Sequence, residues 1–135
     1  MIRRYLLAWV GAGLALAALD TVWLFSTNAT LYRPILGPVL AAGFRPAPAI
    51  LFYVVYLVGV VIFAIAPAIR AGRWGLAPMM GALFGFFAYA TYDLTNQATL
   101  IVWSTTITLA DLSWGTFLTA SGATAGYFAS KLAKR

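Results

Sequence analysis

Residues 89–96 carry six polar side chains near the end of a long apolar run that begins at Gly75. They include one carboxyl group, one amide, two hydroxyls and two phenols. Asp93 lies four residues after Tyr89 and three before Asn96, so these three side chains share one face of a helix. A carboxylate inside a membrane-spanning helix is costly unless it is paired, solvated or protonated. We therefore expect the functional site to be built around Asp93.

The composition is typical of a membrane protein and excludes several chemistries. The 135-residue chain is 63% hydrophobic and 9% charged, whereas soluble domains are about half apolar and about one quarter charged. The absence of Cys excludes disulfides and thiolate chemistry. The absence of His removes the commonest metal ligand and the usual neutral-pH base. We expect no cofactor and no metal: three aspartates could converge on Mg²⁺ or Ca²⁺, but their spacing gives that no special support.

Four apolar runs are long enough to form helices across a hydrocarbon core, which takes about 20 residues. They cover approximately residues 5–25, 47–69, 75–97 and 108–130. These runs predict an all-α integral membrane four-helix bundle that forms a single domain over residues 1–135. Residues 26–46 are predicted to form an outer loop, and their apolar character favours a short interfacial or re-entrant helix within it.

The net charge of +6 would suit nucleic acid, but the basic residues lie at the ends of the apolar runs, as topology signals do. Seven of the nine Lys and Arg residues fall on the side that holds both termini. We therefore expect both termini in the cytoplasm, a bacterial inner-membrane location, membrane lipids as partners and no nucleic acid. Arg3-Arg4 followed by an apolar run also resembles a cleaved signal peptide, but the run resumes through Phe25 and favours a retained helix.

In this topology the only three acidic residues, Asp20, Asp93 and Asp111, lie at one level, about 5–8 Å below the outer membrane boundary. The alternative for them is a solvated position near the lipid headgroups, which suits Asp111 best because it lies in the first turn of its helix. Arg33 is the cation expected to pair with one of them. Other side chains predicted to join the same ligand- or proton-binding pocket are Trp23, Tyr53, Tyr56, Tyr89, Tyr92, Asn96 and Trp114.

Aromatic residues at this depth have two interpretations. Tyrosines commonly form a belt at the membrane interface, whatever helix face they occupy. The helical spacing of Tyr53 with Tyr56, and of Tyr89 with Asp93, favours a cluster instead. Asp20 and Asp111 are each followed three residues later by tryptophan, whose N–H donor can serve the same cluster.

The chain resembles a known family at these residues. The segments that carry the resemblance are Leu19-Asp20-x-x-Trp23-Leu24, Tyr32-Arg33-x-x-Leu36-Gly37, Phe52-Tyr53-x-x-Tyr56, Tyr89-x-x-Tyr92-Asp93-Leu94-Thr95-Asn96-x-Ala98-Thr99 and Asp111-x-x-Trp114-Gly115. The family is that of the small predicted membrane proteins called domain of unknown function 2177. The resemblance covers essentially the whole chain and implies a four-helix bacterial membrane protein. It implies no catalytic residue, because the family name carries no established chemistry.

Two small-residue patterns indicate close helix packing. Gly81 and Gly85, like Gly122 and Gly126, are four residues apart and allow helix backbones to approach closely in lipid. They predict either a homodimer seam or contacts between the third and fourth helices of one chain.

Two functions remain open. The first is a protein whose outward-facing Asp/Tyr/Asn/Trp pocket binds or transports a proton, a cation or a small polar ligand. The second is a membrane-embedded enzyme that acts on a lipid or isoprenoid, with an aspartic acid as general acid. The enzyme needs a cleft, large enough for an apolar tail, that opens between helices. A third and less specific option is a lipid-binding or assembly subunit, in which the polar cluster only sets the register of the helices.

Overall fold

The computed structural model describes residues 1–134, which are largely helical and contain no strand. The predicted all-α class is confirmed. Arg135 and the Lys134 side chain, two of the cations counted for topology, lie outside the described residues. The α-helices are α1 (Ile2–Thr27), α2 (Arg33–Leu36), α3 (Pro46–Val60), α4 (Ala66–Ala71), α5 (Leu76–Thr99) and α6 (Thr105–Ser130). Short 3₁₀ helices cover Gly37–Val39 and Lys131–Lys134.

Two π-helical turns join α-helices that would otherwise be interrupted. Asn28–Tyr32 connects α1 to α2, and Val61–Ile65 connects α3 to α4. Each turn ends two residues before a proline, Pro34 or Pro67. Proline lacks an N–H and its ring clashes with the carbonyl four residues earlier, so a local widening lets the helix continue. The chain therefore stays helical from Ile2 to Val39, where a loop was expected to begin at residue 26.

Local sequence explains where the long helices start and stop. The Ser104 hydroxyl accepts a hydrogen bond from the Ile107 backbone N–H at 3.2 Å and caps the start of α6. Pro46 occupies the first turn of α3, where a missing N–H costs nothing. α4 ends at Gly72, the one described residue with a positive φ (66°), which only glycine adopts without strain.

α6 lies at the centre of the fold, between α1 and α5. Gly81 and Gly85 of α5 face α6, and a methyl group added to Gly81 would lie 2.8 Å from the Thr119 carbonyl oxygen. Gly122 and Gly126 of α6 face α1, where Leu16 and the Ala8 carbonyl fill the space beside them. All four glycines are thus in contact with another helix of the same chain. A dimer through these residues stays a prediction.

The first helix is part of the core. Ala8, Ala12 and Leu16 of α1 are buried, at 0–1% exposure, and they contact α6 near Gly122 and Gly126. α1 therefore packs as part of the helical core, and its retention stays a prediction.

The two ends of the fold differ in charge. Trp74, before α5, packs against Phe128, near the end of α6, with ring centroids 6.2 Å apart. Contacts such as this bring the exposed cations Arg3, Arg70, Arg73 and Lys131 to one end, which we call the basic end. The three aspartates lie toward the opposite end, which we call the acidic end.

Two helical stretches among the described residues are long and apolar enough to cross a membrane, Ile2–Val39 and Pro46–Ala71. α5 has 24 residues and α6 has 26, against 26 in α1, and they carry Asp93, Asp111 and many hydroxyl side chains. For α5 and α6, membrane crossing stays a prediction.

Candidate functional site

Asp20 links three helices at the acidic end. One of its carboxylate oxygens accepts a hydrogen bond from the Tyr53 hydroxyl of α3. The other accepts one from the indole N–H of Trp114 in α6, at 3.1 Å. Asp20 itself lies near the end of α1, so this one carboxyl group fixes the relative positions of α1, α3 and α6. Both donors are neutral and leave the negative charge uncancelled.

Asp111 is tied to the segment that follows α1. Its carboxylate accepts a hydrogen bond from the hydroxyl of Tyr32, in the first π-helical turn. The same hydroxyl accepts a hydrogen bond from the Trp23 indole N–H at 2.9 Å. The Trp23 and Trp114 rings stack with centroids 4.5 Å apart and planes 7° apart. This stack bridges the Asp20 and Asp111 hydrogen-bond networks.

Asp20 and Asp111 line one cavity of about 190 Å³. This volume equals the liquid volume of about six water molecules, which suits a ligand group of a few heavy atoms. The described residues that line it include no Lys or Arg; they are Asp20, Trp23, Leu24, Tyr32, Tyr89, Asp111 and Trp114.

Asp93 lies behind Asp111 and is fully buried, with 0% exposure. Its carboxyl group lies close to the Asp111 carboxyl group. Neither Asp93 oxygen receives a hydrogen bond from an N–H or O–H group of the described residues. A carboxylate only accepts, so a hydrogen bond between the two groups requires a proton on one of them. Two neighbouring carboxyl groups repel each other when both are ionised, which favours one proton on the pair over two negative charges.

Tyr56 and Tyr89 line a cleft next to the carboxyl groups. The Tyr56 hydroxyl is 2.7 Å from the Thr119 hydroxyl, and the Thr119 hydroxyl donates to the Gly115 carbonyl at 2.7 Å. Because that donation uses the only Thr119 proton, Tyr56 must donate to Thr119. The Tyr89 ring packs on Gly115, where any side chain would clash with it. No hydrogen bond to a described residue engages the Tyr89 hydroxyl, which leaves it available to a ligand.

Three other predicted site residues lie outside the carboxyl cavity. Tyr92 is 60% exposed and packs edge-on against Trp103, at a centroid distance of 5.6 Å. Asn96 is half-buried one turn beyond Asp93 and does not line the cavity. Arg33, expected to pair with an aspartate, is exposed and lines a separate cleft beside Gly37 and residues 40–42.

The site also includes residues that the sequence did not single out. Tyr32 supplies the hydrogen bond to Asp111, and its only signal was its place in the family resemblance. Thr119 receives the Tyr56 hydroxyl; its signal was its position on the small face of α6, one turn after Gly115. Nearer the helix ends, Gln97 joins α5 to α6 through hydrogen bonds with Thr105 at 2.9 Å and Thr108 at 2.7 Å. These two hydrogen bonds are recognisable only in the three-dimensional structure.

The described carboxyl groups do not cluster as the ligands of a metal ion would. Among the described residues, no three His, Cys, Asp or Glu side chains lie close enough together to hold an ion. Asp93 lies close to Asp111, and Asp20 and Asp111 line the same cavity.

Comparison with known proteins gives one result. No match was found among curated proteins or among solved structures. A family model does match residues 5–128, and its description is "Predicted membrane protein (DUF2177)". The match covers nearly all of the chain and includes every residue of the cavity and of the carboxyl pair, so this protein belongs to the DUF2177 family of predicted membrane proteins.

Proposed function

We propose that this protein is a membrane-embedded binding or transport protein whose acidic cavity takes a small organic cation. The observation that carries the proposal is that Asp20 and Asp111 line one small cavity with neutral hydrogen-bond donors and no cation. Neutral N–H and O–H donors stabilise a carboxylate without removing its charge. A buried negative charge then favours a bound cation or proton.

The walls of the cavity also suit an organic cation. Trp23, Trp114 and Tyr89 present aromatic rings beside the carboxyl groups. The negative face of an aromatic ring attracts a cation, most strongly for tryptophan and most of all where water is excluded. An alkylammonium group would satisfy both partners, because its N–H groups donate to carboxylates and its carbon atoms contact the rings.

The carboxyl pair would couple binding to a proton. Asp93 and Asp111 together hold one proton in the empty site, and a cation beside Asp111 favours the loss of that proton. Binding should therefore release a proton, and affinity should rise with pH. The other ionisable groups near the pair are Asp20, Tyr32, Tyr89 and Tyr92.

The test of this function is a titration of the purified protein with ethylammonium chloride. Trp23 and Trp114 line the cavity, so indole fluorescence reports occupancy. We expect saturable binding that strengthens from mildly acidic to mildly alkaline buffer, with proton release read in weak buffer. Sodium chloride at equal ionic strength, ethanol and acetate are the controls. Equal responses to ethylammonium and sodium, or a response without saturation, would contradict the proposal.

The proposal places the protein in the membrane as a four-helix bundle with α1, α3–α4, α5 and α6 as its spans, in a bacterial inner membrane. The separation of charge supports both termini in the cytoplasm: Arg3, Arg70 and Lys131 lie at the basic end, and positive residues favour the cytoplasmic side. The acidic cavity then faces outward. Arg33 and Arg45 are the two cations on that side.

This orientation can be tested because the chain has no native Cys. Ile101→Cys places a thiol in the exposed turn between α5 and α6, and Arg73→Cys places one in the exposed turn before α5. In intact cells we expect an impermeant maleimide to label position 101 at once and position 73 only after permeabilisation. The reverse pattern would place the termini outside, and labelling of both positions would exclude the proposed spans.

The enzyme alternative retains support from one observation. A cleft of about 360 Å³ opens between α3 and α5 and is lined by Phe52, Tyr56, Ala88, Tyr89 and Tyr92. An enzyme that acts on a lipid or isoprenoid needs such a cleft. The two functions differ in outcome, since a binding or transport protein returns its ligand chemically unchanged, which mass spectrometry of recovered ligand would show.

A further inference from the structure

We propose that the ligand is a single-chain amphiphile: its alkylammonium head lies in the acidic cavity and its apolar chain lies in the cleft between α3 and α5. This inference rests on the proposed cation site and adds the chemical class of the ligand. It assigns a role to a second cavity that the cation site alone does not use.

The cleft exists because α3 and α5 diverge toward the acidic end. α5 contacts the π-helical turn Val61–Ile65 closely, while the earlier part of α3 packs on α1 instead. Phe84 fills the space between the helices next to the turn, with its ring 5.4 Å from that of Tyr56. Beyond Phe84 the space is open and is lined by rings and by the small side chain of Ala88. The cleft is therefore closed toward the basic end and open at the surface between two helices.

The cleft and the acidic cavity adjoin at one residue. Tyr89 lines both, and its ring lies flat on Gly115. The Tyr56 hydroxyl, which also lines the cleft, is already hydrogen-bonded to Thr119. The Tyr89 hydroxyl is not engaged by a described residue and marks the point where a polar head would meet an apolar chain.

Charge selects the occupant. An anionic phospholipid would bring a phosphate toward Asp20 and Asp111, and a fatty acid would bring a carboxylate, so both are repelled. A zwitterionic phospholipid offers an ammonium group but carries its phosphate only a few atoms behind it and has two chains. A primary amine on one alkyl chain carries the complementary charge and no anion. The cleft volume of about 360 Å³ lies at the small end of ligand pockets and suits one chain rather than two.

The experiment compares a long and a short amine in phosphatidylcholine nanodiscs, with empty nanodiscs to correct for partition into lipid. Dodecylammonium and ethylammonium are titrated against the wild type and Ala88→Trp, in which an indole fills the cleft. We expect Ala88→Trp to lower the dodecylammonium affinity at least about tenfold, since roughly fourfold is lost for each methylene displaced. Ethylammonium should bind both proteins within about twofold. Leu94→Trp, on the exposed face of the same helix, is the matched control.

Each outcome distinguishes the two proposals. If Ala88→Trp leaves both affinities unchanged, the chain does not occupy the cleft, and the cation site stands without it. If neither amine binds the wild type, the cation site fails and the amphiphile fails with it. If Ala88→Trp does not fold, Phe52→Ala enlarges the cleft instead and should change the dodecylammonium affinity while sparing ethylammonium. Lauric acid and dodecanol should compete poorly with dodecylammonium; equal competition would show that the head does not matter and would overturn the assignment.

Discussion

Asp111→Asn is expected to lower the affinity for ethylammonium roughly 10- to 100-fold, the range for losing a hydrogen bond to a charged group. Asparagine keeps the size of the side chain and a carbonyl oxygen that can accept the Tyr32 hydroxyl. The fold should therefore persist while the charge that contacts the ligand is lost. Fluorescence titration gives the affinity, and the thermal midpoint confirms that the variant is folded.

Two further variants make this result specific. Thr116→Ala, on the same helix, removes a hydroxyl that donates only to the Leu112 carbonyl of its own helix at 2.6 Å, and should bind like the wild type. Asp93→Asn gives the Asp111 carboxylate an amide N–H in place of the shared proton. We expect this variant to bind ethylammonium without proton release and with a flatter dependence on pH. Wild-type affinity in Asp111→Asn would remove the cation site.

Gly85→Ala is expected to destabilise the protein by about 1–3 kcal/mol or more, the range for added volume in a packed core. The added methyl group would meet the Gly115 carbonyl oxygen and the Thr119 side chain. The carbonyl belongs to the backbone of α6, so relief requires a shift of the whole helix rather than of one side chain. The shift would also disturb the Tyr56–Thr119 hydrogen bond next to the site. The measurement is the thermal unfolding midpoint in detergent or nanodiscs.

The control for this variant lies just before the same helix. Gly75 precedes α5 with a φ of −63°, and an added methyl group there would have no neighbour within 4 Å. Gly75→Ala should change the free energy of unfolding by no more than about 0.5 kcal/mol. Equal effects at the two positions would show that the α5–α6 seam is not close-packed.

Much of the fold follows from patterns that are local in the chain. Apolar runs of about 20 residues and the placement of Pro46, Gly72 and Ser104 specify long helices and their ends. Proline normally limits a helix, whereas the chain accommodates Pro34 and Pro67 with π-helical turns. A single extra residue in a turn relieves the proline clash, and composition alone does not distinguish this from a break.

The site depends on contacts between distant segments. The tryptophans that follow Asp20 and Asp111 were expected to serve the same cluster, but spacing could not say which acceptor each would take. The Trp114 indole donates to Asp20 rather than to the aspartate one turn away, and the Trp23 indole donates to Tyr32. The two indole rings stack, and each tryptophan serves the hydrogen-bond network of the aspartate on the other helix rather than that of the aspartate one turn away on its own helix. Arg33, chosen by charge alone as a partner for an aspartate, points instead to an exposed cleft.

By itself the sequence determined the helical class, the family, the opposite placement of basic and acidic residues, and most of the side chains that form the polar site. These follow from side-chain chemistry and from spacing along single helices. The tertiary structure alone decided that Asp93 lies beside Asp111, that Asp20 and Asp111 line one cavity, and that α3 and α5 diverge beside Tyr89. Those features depend on how closely each pair of helices can approach, which the glycines of α5 and α6 set through contacts between residues far apart in the chain.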